Sequence, residues 1–216
     1  MQTKLGLLGL GEISTLFYIN ELEKVIDSNN KSYKVYQTNF DEINNILPHP
    51  SEKLKEIVSK NINSLLNLDV NTLLIPNITL HQTMDSLKLD VNVIHPLKET
   101  VVSLKKENCT EVVLLGSIYT MQSDYIKLYF SEHGISIKTP LENEQSFIDN
   151  LRKKVFLQTA NAALIADYNL IIKKYAQKNA VVIACTELSV ASQISNGRIF
   201  DMARIQIKEA LRINQQ

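Results

Sequence analysis

The sequence predicts an α/β protein built from two similar lobes, each around a parallel sheet. Three observations carry this expectation. Apolar, β-branched runs alternate with longer amphipathic stretches from end to end, which is the pattern of βα units around parallel strands. Each half opens with a strand running into a turn of small or hydroxyl residues, Gly9-Leu10-Gly11-Glu12-Ile13-Ser14-Thr15 and then Gly116-Ser117-Ile118-Tyr119-Thr120. Each half also contains a strand that ends in a polar cluster: LLIP runs into Asn77-Ile78-Thr79-Leu80-His81, and VVIA into Cys185-Thr186-Glu187-Leu188. The lobes are therefore Rossmann-like in expectation.

Taken in order, the strands are read over Leu5 to Leu8, Lys34 to Thr38, Thr72 to Ile75 and Val91 to Ile94. Val112 to Leu115, Ser136 to Lys138 and Val181 to Ala184 follow in the second half, with helices in the intervening pieces. The crossover is placed near Pro96 to Thr100, and a last helix, Asp201 to Ile213, is expected to return to the first lobe. This gives a first lobe of residues 1–98 plus 201–216 and a second of 99–200. In parallel α/β sheets ligands bind beyond the carboxyl ends of the strands, so both polar clusters fall where chemistry is expected, with the site in the cleft between the lobes.

Composition narrows the function. Lysine plus arginine total 23 and aspartate plus glutamate total 23, so no net field favours nucleic acid or an anionic membrane. The apolar run near the start is about half of what spans a bilayer and reads as a buried strand, which points to a cytoplasmic protein. The two cysteines, Cys109 and Cys185, are too few for a disulfide framework and lack zinc spacing, so no metal is expected and any cysteine of importance acts as a free thiol. Cys109 precedes its strand, on the side of the sheet away from the expected site, and reads as structural. Cys185 follows a buried strand and precedes an expected helix, whose N-terminal amides are expected to lower its pKa and favour the thiolate. A cysteine in such a place commonly just fills space, but Thr186 and Glu187 beside it argue for chemistry.

The run Ala184-Cys185-Thr186-Glu187-Leu188 resembles the Gly-Cys-Thr-Glu-Leu signature of the second lobe of cofactor-independent aspartate/glutamate racemases. Leu115-Gly116-Ser117 with Thr120-Met121, then Tyr125 or Tyr129 and Gly134, is similar to a second segment of that family. Gly9, Gly11 and Thr15 match its glycine-rich opening, and Asn39-Phe40 follows the second strand as in the family. The resemblance implies two thiols, one per lobe, flanking the substrate α-carbon. It also implies no cofactor, a homodimer, and a small acidic amino acid or dicarboxylate as ligand. Cys185 is then the catalytic thiol, and Gly11, Thr15, Asn77, Thr79, Ser117, Thr120, Thr186 and Glu187 are substrate-binding candidates, with His81 and Lys154 as further ones. Without pyridoxal to spread the carbanion charge, such a site needs a thiolate base and dense hydrogen bonding to the substrate carboxylate.

The chain departs from the family at Asn77, which stands where the first-lobe cysteine of Cys-Asn-Thr-Ala-His is expected. An asparagine amide is not a base near neutral pH. Three outcomes are compatible with this: a one-thiol isomerase or decarboxylase of a small dicarboxylate, a weakened racemase, or a ligand-binding homologue without catalysis. A nucleotide-binding module is a further reading, because Gly9-Leu10-Gly11 follows the first strand. That match is incomplete, since a serine occupies the third glycine position and Gln37-Thr38-Asn39 brings no ribose-binding acid.

Overall fold

Segments without a polar interruption become strands covered on both faces. In β1 (Leu5–Gly9) all five residues are buried, and the same holds for the four of β7 (Ala180–Ile183), as expected for strands that carry helices above and below them. The computed structural model describes residues 4–26 and 33–214. The chain divides into two units, Met1–His95 with Gln206–Gln216, and Pro96–Ile205.

The first unit runs from β1 through α1 (Glu12–Glu23), β2 (Tyr33–Gln37), α2 (Phe40–Asn44), α3 (Glu52–Leu66), β3 (Thr72–Leu74) and α4 (Ile78–Met84) to β4 (Asn92–Val93). Its four strands are all parallel, in the order β2-β1-β3-β4. The longest helix of the unit, α3, starts at Ser51, whose hydroxyl accepts the Leu54 amide at 3.2 Å. Leu54, Val58, Ile62 and Leu65 then recur at helical spacing and are wholly buried. Gly6 makes this contact close: a Cβ there would sit 2.8 Å from Val70 Cγ2 and 3.1 Å from Leu65.

The second unit repeats the plan. It holds α5 (Pro96–Lys106), β5 (Glu111–Leu115), α6 (Ile118–Gln122), α7 (Asp124–Glu132), β6 (Ser136–Lys138), α8 (Glu142–Phe156), α9 (Ala162–Ala176), β7, α10 (Thr186–Ala191) and β8 (Ile199–Asp201). Its sheet is again four-stranded and parallel, in the order β6-β5-β7-β8, the same permutation as in the first unit. The sequence reading missed β8, a strand of only three residues, and began the last helix at Asp201. In the structure Asp201 ends the strand, and its Oδ1 accepts the amides of Ala203 at 3.0 Å and Arg204 at 3.2 Å, capping α11 (Met202–Asn214).

From Gln206 onward α11 belongs to the first unit. Gln206 is fully buried, donates Nε2–H to the Ile94 carbonyl at 2.6 Å and accepts the Tyr18 hydroxyl on Oε1 at 2.7 Å. Truncation would remove both hydrogen bonds from the interior, where each lost buried partner costs about 1–3 kcal/mol. Gln206→Ala is therefore expected to lower unfolding free energy by about 2–4 kcal/mol. Urea titration followed by circular dichroism checks this, and a loss below about 0.5 kcal/mol would show that Gln206 is not a fastening point.

Candidate active site

At the carboxyl end of β7 the chain turns through Cys185, which has extended backbone (φ −158°) and is the N-cap of α10. Its carbonyl accepts the amides of Leu188 at 3.1 Å and Ser189 at 3.0 Å, so the turn is closed by the helix it starts. The thiol donates to Glu187 Oε2 at 2.9 Å. The residue is half-buried, with its sulfur in a densely packed environment.

This thiol does not behave as the sequence suggests. Burial pushes it well above its ordinary value, and the Glu187 carboxylate adds both its negative charge and its hydrogen bond to the same effect. The Arg152 guanidinium and the Leu188 amide oppose the rise without reversing it. The expected lowering by helix amides is thus overturned, because a carboxylate at hydrogen-bond distance and the loss of solvent outweigh one short helix. At rest the group is a thiol paired with a carboxylate, not a free thiolate.

The adjacent strand brings a second turn beside it. The Ala184 amide donates to the Leu115 carbonyl at 2.8 Å, and Gly116 and Ser117 follow. A Cβ on Gly116 would meet Thr120 side-chain atoms at 2.8 and 2.9 Å, so only glycine lets this turn fold down onto Thr120. Ser117 caps α6, its Oγ accepting the Thr120 amide at 3.0 Å and lying 2.8 Å from the Thr120 hydroxyl. The hydroxyls of Ser117 and Thr120 therefore engage each other, and Thr120 is buried.

Helix α8 supplies the cation. Asp149, almost fully buried, accepts Arg152 Nε at 3.1 Å, Lys153 Nζ at 2.6 Å and the Ile118 amide at 3.4 Å. Burial would raise its carboxyl, but Lys153 and Arg152 more than compensate and hold it below the usual range. Asp149 thereby ties α8 to the start of α6, and Arg152 lies close enough to act on Cys185. Lys154, a basic candidate read from the sequence, is half-buried. Asp149 and Arg152 stand at i,i+3 on α8, a spacing of acid and base that the sequence itself carries.

Thr186 is buried beside Cys185. In the first unit, Gly11 and Asn77 follow the carboxyl ends of the paired strands β1 and β3. Gly11 has φ 72°, a left-handed conformation that suits glycine. The Thr15 hydroxyl is buried and returns to the Gly11 carbonyl at 2.6 Å, so it stabilises the start of α1. Asn77 Oδ1 accepts the Leu80 amide at 3.1 Å and caps α4, while Thr79 is half-buried in the first turn of that helix.

His81, a further candidate from the sequence, is wholly buried. Its Nε2 lies 3.2 Å from the Ile75 carbonyl, which makes Nε2 the donor, and its Nδ1 has no partner. Its ring meets His95 edge-on at 4.5 Å, and His95 Nε2 lies 3.4 Å from Asp85 Oδ1. Burial, reinforced by His95, lowers His81 to about 3 against weaker support from Ile75 and Asp85. Cys109 sits between α5 and β5, its thiol 3.8 Å from the Glu107 carbonyl, and burial raises it too. No group of three or more histidine, cysteine, aspartate or glutamate side chains able to hold a metal occurs among the described residues. Nor is any helix among them long and apolar enough to cross a membrane.

Comparison with solved structures identifies the fold. An aspartate racemase homologue from Pyrococcus horikoshii OT3 superposes with a TM-score of 0.82 at 20% identity, covering 100% of both chains. Picrophilus torridus aspartate racemase gives 0.76 at 19% identity, again covering 100% of both chains. A glutamate racemase from Bacillus anthracis gives 0.65 at 14% identity, over 99% of this chain and 82% of that one. The chain thus has the two-unit α/β fold of the Asp/Glu racemases. No protein-family profile matches it, and no curated protein matches it in sequence.

Proposed function

We propose that this protein is a cofactor-independent isomerase of racemase type that acts at the α-carbon of an acidic amino acid, with Cys185 moving the proton. The observation that carries the reading is the Cys185 thiol donating to Glu187 at 2.9 Å at the carboxyl end of a central parallel strand. The fold shared with aspartate and glutamate racemases supports it.

In this reading the thiol gives its proton to the Glu187 carboxylate as the substrate binds. The resulting thiolate removes the α-proton, and the electron pair left on carbon delocalises into the substrate carboxylate. Arg152, held by Asp149, stabilises that developing charge, and it also offsets part of the penalty on the thiolate. Thr186 and the Ser117 turn border the same strand ends and complete the carboxylate's hydrogen bonding. Return of the proton by the same thiol regenerates the starting enantiomer, so inversion needs a donor on the opposite face.

Asn77 favours a second reading. Its amide oxygen is committed to the Leu80 amide, and no protonation state of an amide near neutral pH serves as that donor. A one-thiol site would exchange the α-proton of one enantiomer, or decarboxylate or isomerise a small dicarboxylate. Proton NMR in deuterated water with L- and D-aspartate and L- and D-glutamate separates the cases. Loss of the α-proton signal with appearance of the other enantiomer supports racemisation, and exchange of one enantiomer without inversion supports the one-base site. Absence of exchange from all four substrates would overturn α-proton abstraction from acidic amino acids.

A further inference from the structure

Behind Cys185 lies a buried polar cluster that the proposed chemistry does not use: Ser189 on α10, Asp201 at the end of β8 and Tyr168 on α9, none more than 7% exposed. The Ser189 hydroxyl stands 2.8 Å from Asp201 Oδ1 and 3.2 Å from the Cys185 carbonyl. It has one hydrogen for two acceptors. The nearer and charged one takes it, since hydrogen bonds to ionised acceptors are the stronger. Asp201 Oδ1 thus gathers three donors, the Ser189 hydroxyl and the amides of Ala203 and Arg204. It joins the helix that Cys185 caps to the helix that begins at Met202.

Burying a carboxylate is costly, and this one is imperfectly satisfied. Asp201 Oδ2 is enclosed without a hydrogen bond, with Arg204 Nε at 3.4 Å, and the Tyr168 hydroxyl is enclosed without a partner. Capping α11 accounts for two of the three donors on Oδ1. Its added contact is the one to Ser189, four residues after the thiol.

We propose that Asp201, acting through Ser189, is the positioning residue for Cys185: it holds the first turn of α10 so that the thiol stays within reach of Glu187. The proposal rests on Cys185 being the reactive thiol, but not on the substrate. With the Ser189 hydroxyl drawn to Asp201, the Cys185 carbonyl is left to the Leu188 and Ser189 amides, and the turn is fixed by a partner other than Glu187. Without that anchor the turn relaxes and the sulfur–carboxylate contact lengthens.

The test is the pH profile of Cys185 alkylation by iodoacetamide in a Cys109→Ser background, which needs no turnover. Glu187 contact keeps the thiol protonated, so a loosened contact moves the alkylation midpoint down. Ser189→Ala, which removes only a hydroxyl, is expected to lower the midpoint by about one pH unit. Asp201→Asn retains the Oδ1 acceptor and is expected to keep the midpoint near the parent value. Glu187→Gln should reproduce the downward move, and adding Ser189→Ala to it should then change nothing. An unchanged midpoint in Ser189→Ala, or additive shifts in the double variant, would overturn the positioning role. If the parent protein shows no α-proton exchange yet the midpoints move as stated, the proposed reaction fails and the positioning device stands.

Discussion

Cys185→Ser is expected to lower the rate of α-proton exchange by about 10²–10⁴-fold, the range that one positioned proton-transfer group contributes. Serine is nearly isosteric, and its hydroxyl can make the same hydrogen bond to Glu187, so the fold and the α10 turn should persist. What is lost is acidity: a hydroxyl ionises far less readily than a thiol, even one raised by burial and a carboxylate. The measurement is loss of the α-proton signal in deuterated water, with circular dichroism to confirm the fold. Undiminished exchange in a folded Cys185→Ser protein would remove this residue from the chemistry. The parent rate should also climb as pH rises, because the resting thiol is held protonated by burial and Glu187.

Acid sensitivity centred on His81 is the second large effect. Its native pKa of about 3 lies below the unfolded value near 6.5, so above about pH 6.5 neither state binds the proton and the full stabilisation is present. As pH falls below that, the unfolded chain takes up a proton that the native state refuses. Each pH unit then removes up to about 1.4 kcal/mol, and the loss continues until the native value is reached. Between pH 6.5 and 4.5 this one side chain is expected to cost about 2–3 kcal/mol of unfolding free energy. His81→Gln keeps a donor for the Ile75 carbonyl and cannot titrate, so the difference between parent and variant isolates the contribution. Urea unfolding at both pH values reads it. Parallel losses in the two proteins would show that His81 is not the source.

Much of the fold was legible because its signals are local. Runs such as Leu5 to Leu8 and Val181 to Ala184 lack any polar interruption, and a chain that alternates them with amphipathic stretches has few architectures open to it. The strand β8 was not legible: three residues after Arg198, the last of them the capping aspartate, carry no periodicity, and only pairing with β7 makes them a strand. At the site, Cys185 and Glu187 were readable as neighbours in sequence. The sign of the thiol's shift was not, since it depends on a side-chain rotamer and on burial, which have no sequence signature. The burial of Asp149 and Asp201 was not legible for a related reason. Each is an acid inside the protein, held by partners on other elements.

The shared strand permutation of the two units has a consequence of its own. In each, the functional turns follow the two central strands, β1 and β3 in one and β5 and β7 in the other, whose neighbours on both sides fix them. The scaffold thus specifies an address, while a single residue at that address decides what is delivered there. Asn77 and Cys185 hold equivalent addresses, each the cap of a short helix after the third strand of its sheet. One is an amide that caps its helix and the other a thiol, and the same backbone plan accommodates both. Two residues of different chemistry can thus stand at matching positions of the two sheets with no strand relaid.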